Sequence, residues 1–262
     1  MLGKLLKYDF RAMWKQFSMI WLAALVIALI NRFTLPFNQG SNSDVGVRNE
    51  LLPIVTMSVF VGVMCAMFVV VMVFVLTRFY KGLLGDEGYL MHTLPVQTWQ
   101  LVLSKLICAI VVTVVNVVVS ILAMFLMMPI NWIKVFDMEL WKRLVQGLLM
   151  QPDALLYLGE LFLLCVTALA LMVTMVYLSM AIGHLFHRRR VLMSVVAFFA
   201  LNIAENLAIS LASNLGIMEL FDQILSFSGH AGFWVGIVLM LIPSVVMFLA
   251  TSYILKNRLN LE

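Results

Sequence analysis

In the run ALNIAENLAISLASNLG, one glutamate, Glu205, stands in apolar surroundings. Asn202, Asn206, Ser210 and Ser213 share a broad helical face with it. Placing an ionisable group at the centre of an apolar helix costs about 3 kcal/mol on insertion scales, and such groups are kept where they line a polar path or bond another helix. Both uses are open for Glu205, because interhelical polar contacts are common and modest in energy. Glu160 is the second such residue, with Thr167 and Thr174 following at seven-residue intervals on the same helical side. It is either a pathway group or, more simply, a headgroup-level carboxylate that stabilises a helix N-terminus. Asn116 is the one strongly polar residue of a third apolar run and suits a bond to a neighbouring helix.

Other chemistries are missing. No G-x-x-x-x-G-K-[ST] loop is present to cradle a nucleotide phosphate, and neither H-E-x-x-H nor G-x-S-x-G occurs. The histidines are His92, His184, His187 and His230. His184 and His187 could share a helix face, but no third metal ligand lies nearby, so solvated histidines beside three arginines are the expectation. Cys65, Cys108 and Cys165 all lie inside apolar runs and read as buried thiols, without disulfide or metal spacing. No nucleophile–base pair stands at usable spacing, which argues against an intramembrane enzyme.

The elements that must position these residues follow from composition. The chain of 262 residues is 64% hydrophobic and 11% charged, against about half and a quarter in a soluble domain. One soluble core cannot hold so much apolar surface, and an all-α integral membrane protein is expected. A bilayer core needs about 20 apolar helical residues, and six segments qualify, at about 17–36, 51–77, 101–128, 155–183, 191–215 and 232–255. Their apolar runs are continuous, not alternating, which favours helices over barrel strands. No boundary splits off a soluble domain, so residues 1–262 read as one transmembrane domain. The basic residues of the first sixteen positions are spread out, unlike a cleavable signal peptide.

Lys and Arg set the orientation. A cytoplasmic N-terminus puts Lys4, Lys7, Arg11, Lys15, Arg78, Lys81, Lys105, Arg188, Arg189, Arg190, Lys256 and Arg258 inside, twelve of the seventeen bases. Arg32, Arg48, Lys134, Lys142 and Arg143 then lie outside. Both termini are expected in the cytoplasm. The net charge of +4 suits anionic lipid or an acidic partner, and no nucleic acid is implied. At about 100° per residue, Lys4, Lys7, Arg11 and Lys15 fall in one arc of residues 1–16. Leu2, Leu5, Leu6, Phe10 and Met13 fall opposite, and Asp9 is the exception on the apolar side. This predicts an amphipathic interfacial helix. A second amphipathic piece, expected at the outer surface, has Leu140, Trp141, Leu144, Val145, Leu148 and Leu149 against Lys142, Arg143 and Gln146, and a third, GIMELFDQILSF, is too short to cross and reads as an outer or a re-entrant helix. The most loop-like stretch is NQGSNSDVG, residues 38–46. In the sixth segment, Pro243 removes a backbone bond and predicts a kink, while Gly232 and Gly236 form a GxxxG that allows close helix approach.

Between the second and third runs lies a polar segment too long for a tight turn, about 78–100. Its glycines and Asp86-Glu87 break the apolar period, and Leu94-Pro95 reads as a helix restart. The stretch LLGDEGYLMHTL has enough apolar residues to form a short helix that packs on something, or it is a plain loop. GDEGYLMHTLPVQTWQLVLSK resembles the segment joining spans two and three in permeases of the ABC-2 type of ABC transporters, above all at Glu87-Gly88, Leu94-Pro95 and Lys105. MLGKLLKYDFRAMWK is similar to their N-terminal connecting helix, and the six-span order and GHLFHRRR are similar too.

The resemblance implies a cytoplasmic coupling helix seated on a separate ATP-binding subunit, with Leu83, Leu84, Asp86, Glu87, Gly88, Tyr89 and Leu90 as coupling residues. It implies two permease chains, identical or homologous, and two ATPase chains. ATP and Mg would then be held by the partner, and this chain would be a permease subunit, not itself an enzyme. It also implies export, of a peptide, drug or other amphipathic molecule, across a bacterial plasma membrane. The rival readings are an ATP-independent secondary transporter, for which Glu205 is the main deep ionisable candidate, and a non-transporting scaffold or sensor partner.

Overall fold

The computed structural model describes residues 2–34, 48–84, 97–128, 139, 142–143, 146–147, 150, 152–186, 189–216 and 229–257. Among the described residues every regular element is helical: α1 (Leu2–Thr34), α2 (Arg48–Phe79) continuing into a π-helical turn (Tyr80–Leu84), α3 (Thr98–Met127), α4 (Pro152–His184), α5 (Arg190–Asn214) and α6 (Gly229–Asn257). Among the described residues five helices are long and apolar enough to cross a membrane: Ile54–Leu84, Thr98–Met127, Asp153–His184, Arg190–Asn214 and His230–Asn257. The chain is therefore an all-α, multi-pass membrane protein. In the hydrocarbon of a bilayer only a helix or a closed barrel satisfies every backbone donor and acceptor. α1 differs from the other five: its arms Leu5–Lys15 and Phe17–Phe33 meet at 40° and reach span length and apolarity only together.

Two boundaries differ from the expectation. The second apolar helix does not stop at Thr77 but runs on through Arg78–Leu84, widening at its end into the π-helical turn. Nothing before residue 85 breaks it. Gly82 faces the side chain of Lys105, whose Cε lies 3.4 Å from where a Cβ would stand. α3 begins at Thr98, three residues earlier than its apolar run, because Gln97 opens the first turn. The Gln97 carbonyl accepts from Gln100 N–H at 2.9 Å, and its side-chain carbonyl accepts from the Trp99 indole.

Residue contacts divide the chain into two compact units, 1–6 with 75–110 and 152–262, and 7–74 with 111–151. In the first, α4 packs against both α5 and α6 and touches the π-helical turn. The connection from α4 to α5 is short and includes Arg189 at φ 72°. It brings the backbones so close that a Cβ on Gly183 would stand 2.6 Å from Ser194 N. On α6, Gly236 fits against Leu164, whose Cδ1 would be 3.1 Å from an added Cβ. The close approach expected of the GxxxG is thus realised at its second glycine. Pro243 sits inside the continuous helix α6, and its neighbour Ser244 is buried, its Oγ 3.4 Å from Thr174 Oγ1.

In the second unit, Trp21 Nε1 donates to Asn116 Oδ1 at 3.2 Å, joining α1 to α3. Arg32 Nη1 donates to the carbonyls of Leu126 and Met128, at 3.4 and 3.2 Å. A cation thus meets the carbonyls at the C-terminal end of α3, where the helix dipole favours positive charge. Phe17 stacks on Trp21 and meets Phe74 edge-on at 4.8 Å. The described positions of the piece around 139–150 are helical and exposed, with Glu139 and Arg143 3.8 Å apart one turn on. Of the cysteines, Cys108 is buried as expected, whereas Cys65 and Cys165 are exposed on their helices.

Candidate functional site

Two clusters of polar and aromatic side chains sit on α4, near its opposite ends. The first gathers around the end of α2. Phe79 and Leu83 are fully buried and Leu84 nearly so. The Phe79 ring stacks on Tyr177 of α4, with centroids 3.9 Å apart and planes at 13°. Tyr177 is itself 1% exposed, and its hydroxyl donates to the main-chain carbonyl of Lys105 at 3.3 Å. Lys105 is buried, its side chain alongside Gly82. Tyr80 leans on the His184 ring at 5.3 Å. His184 is half-buried here, not solvated as its neighbouring arginines suggested, and His187 lies outside the described residues.

Of the seven proposed coupling residues, Leu83 and Leu84 are described, and both are buried in their own chain. They anchor the segment instead of offering a surface to a partner. Asp86, Glu87, Gly88, Tyr89 and Leu90 lie outside the described residues. The polar segment thus departs from one helix end locked by aromatic stacking and returns to another locked by Lys105 and Tyr177.

The second cluster surrounds Glu160, two turns into α4. Its carboxylate is buried and uses both oxygens. Oε2 pairs with His230 Nδ1 at 2.8 Å, and Oε1 accepts from Trp234 Nε1 at 3.0 Å. Tyr157, one turn before Glu160, stacks flat on the His230 ring, with centroids 4.1 Å apart. Phe233 is 5.9 Å from Tyr157. Glu160 therefore joins α4 to α6 through its side chain. With the His230 ring and the Trp234 indole of α6 both in reach, the carboxyl group is hydrogen-bonded through both oxygens inside the helix pair, as a buried polar group requires.

Comparison with family models, with curated proteins and with solved structures finds no match.

The remaining polar residues fall apart into separate settings. Asn116 is buried between α1 and α3, its Oδ1 taken by Trp21 and its Nδ2 without a partner among the described residues. Asn202 and Asn206 bond back to their own helix, donating to Phe198 O and Asn202 O at 2.9 and 2.8 Å. Glu205 is half-buried, while Asn206 and Ser210 are exposed. α5 buries little: Ala197 is its one buried residue among those described. The broad polar face read from the sequence therefore exists on α5, but its own chain leaves Asn206 and Ser210 uncovered. Glu160 and Glu205 lie in different settings, one locked between helices and one at an open edge. No group of three or more metal-ligating side chains forms among the described residues.

The sequence reading missed His230, Trp234, Tyr157, Tyr177 and Phe79. Only the first two left a signal: a histidine and a tryptophan one turn apart at the start of an apolar run that begins near Gly232.

Proposed function

We propose that this chain is the membrane-spanning subunit of an ATP-driven ABC exporter. In this reading two permease chains enclose the substrate path, and each receives a separate ATP-binding subunit on the segment between α2 and α3. The observation that carries it is mechanical. A segment that transmits a push must be fixed at both ends to the parts it moves. Here its entry is fixed by Phe79, Leu83 and Leu84 and its exit by Lys105, and Tyr177 of α4 touches both. Displacing the segment would therefore load α4 directly.

From Tyr177 to Glu160 is seventeen residues, about 25 Å of helix, so one rigid element links the segment to the α4–α6 pair across most of a bilayer. The resemblance of GDEGYLMHTLP to the coupling segments of ABC-2 type permeases supports the same reading, as does the lack of a phosphate loop in the sequence. The partner contact is assigned to residues 85–93, centred on Asp86, Glu87, Gly88, Tyr89 and Leu90. In this reading α1 supplies the sixth crossing with its Phe17–Phe33 arm. Both termini and the Arg78–Gln100 segment face the cytoplasm of a bacterial cell. The substrate is a peptide or other amphipathic molecule, and Glu205 with Asn202 and Asn206 faces the path or the second permease.

The test is purification from the native cell in a gentle detergent, with subunit masses and ATP turnover read on one sample. Two permease chains with two ATP-binding chains and ATP hydrolysis are the expected result. Glu87→Ala or Leu90→Pro should then lower ATPase retention while insertion stays normal. A chain that purifies alone at every detergent strength would overturn the reading and favour the secondary carrier or scaffold.

A further inference from the structure

The N-terminal arm of α1 uses its two sides differently from a simple amphipathic helix that sinks its apolar face into lipid. Along the arm and into the next turn, Asp9, Met13, Phe17 and Trp21 are buried, one per turn. Leu5, Leu6 and Phe10 are half-buried. The chain has therefore taken much of the apolar side for its own packing. Asp9, the acid that broke the wheel, is on that buried side. What remains exposed is Lys7, Tyr8, Arg11, Trp14 and Lys15.

At about 100° per residue, Lys7, Arg11 and Lys15 make a stripe, one base per turn. Trp14 flanks it on one side and Tyr8 on the other. Tyr8 is 73% and Trp14 64% exposed, and Trp14 also meets Trp21 edge-on at 5.7 Å. The side chains of Phe10, Arg11, Trp14 and Lys15 border a shallow, open depression on this face. Among the described residues none of the three bases is paired with an acid. The arm turns by 40° where it meets Phe17–Phe33, so arm and apolar helix take different directions. Amphipathic rings settle at the level of lipid headgroups, and juxtamembrane bases are drawn to anionic lipid.

We propose that the stripe of Lys7, Arg11 and Lys15, with Tyr8 and Trp14 at its flanks, binds the headgroups of anionic phospholipids. The bases neutralise the phosphates, and the aromatic rings set the depth of the arm at the glycerol level. Contact is made by the basic and aromatic side of the helix, with the apolar side retained by the protein. The inference needs a membrane but no ATPase partner, so it stands or falls apart from the transporter reading.

The test uses the full chain purified in a neutral detergent and titrated with dioctanoyl phosphatidylglycerol, reading its unfolding midpoint. Dioctanoyl phosphatidylcholine and inorganic phosphate are the comparisons. Phosphatidylglycerol should raise the midpoint in a saturable way, and the other two should not. Each base removed should weaken apparent affinity about fivefold, so the triple Lys7→Gln, Arg11→Gln, Lys15→Gln variant should lose roughly a hundredfold. The charge-keeping triple Lys7→Arg, Arg11→Lys, Lys15→Arg should keep most of the effect, which guards against a folding defect. A second neutral triple, Arg189→Gln, Arg190→Gln, Lys256→Gln, removes as much charge elsewhere and should change little. Equal responses to the two lipids, an unchanged response in the first triple, or an equal loss in the second would each overturn the proposal. A matching response to inorganic phosphate would show a free-anion site instead.

Discussion

Glu160 shows how far a single residue can be read. Its type and place marked it as special, since a carboxylate in an apolar run needs a partner or a task. Its partners were not legible, because they come from a helix seventy residues later and no local rule links the two. The structure makes the pair testable. Removing one partner strands the other, which is the costly way to break a buried interaction. Glu160→Gln or His230→Gln should each lower stability by about 2 kcal/mol, discounted from a fully buried pair because His230 keeps part of its surface. The measurement is the unfolding midpoint in detergent. The double variant should cost clearly less than the sum, with a coupling of about 1 kcal/mol. Strict additivity would mean that the 2.8 Å contact contributes nothing of its own. A second residue-scale case is Tyr177. Tyr177→Phe keeps the ring on Phe79 and loses the long 3.3 Å hydrogen bond to Lys105, a cost of about 0.5–1 kcal/mol. Tyr177→Ala removes the ring and should cost about 3–5 kcal/mol. If the segment is coupled through this ring, the Ala variant should also lower any partner-stimulated ATP turnover, and the Phe variant should not.

Elements were easier to read than their contacts. Long apolar runs announce helices because a bilayer leaves few alternatives, and five of the six runs emerge as helices of spanning length. Helix ends were less legible. The second run continues past Thr77 because Gly82 is accommodated against Lys105, and that neighbour is 23 residues away. Glycines show the same limit. The sequence gives them all one letter, while the structure gives them different work. Gly183 lies where Ser194 backbone crosses, leaving no space for a methyl group. Gly236 meets only the movable tip of Leu164, and Gly159 meets nothing within 4 Å. Gly183→Ala should therefore destabilise by about 1–3 kcal/mol and loosen the α4–α5 pair, read as faster proteolysis near residue 187. Gly236→Ala should be mild. Gly159→Ala should be neutral or stabilise by up to about 1 kcal/mol, since alanine is the better helix former. Equal effects at all three would show that helix propensity, not close approach, decides these positions.

At the scale of the whole molecule, α5 sets the strongest constraint. It is long and apolar enough to cross the membrane, yet Ala197 is its one buried residue among those described. One side of it carries Asn202, Asn206 and Ser210, with Glu205 half-buried at the edge. Asparagine side chains that bond back to their own helix, as Asn202 and Asn206 do, satisfy one donor hydrogen each and leave the amide oxygen to find another partner. In hydrocarbon such a face is costly, so a lone chain is an incomplete account of it. The proposed second permease chain supplies the cover if α5 of each copy faces the other across the path. The expectation is direct. With Cys65, Cys108 and Cys165 replaced by alanine, Ser210→Cys should give an oxidant-dependent dimer in native membranes, and Leu211→Cys, on another side of the helix, should give much less. Glu205→Gln should weaken that cross-link or lower transport, since it removes the one ionisable side chain on this face. Equal cross-linking at 210 and 211 would point to random collision. No dimer at 210 with full export would mean that this face lines the path alone, and that the copies meet through another helix.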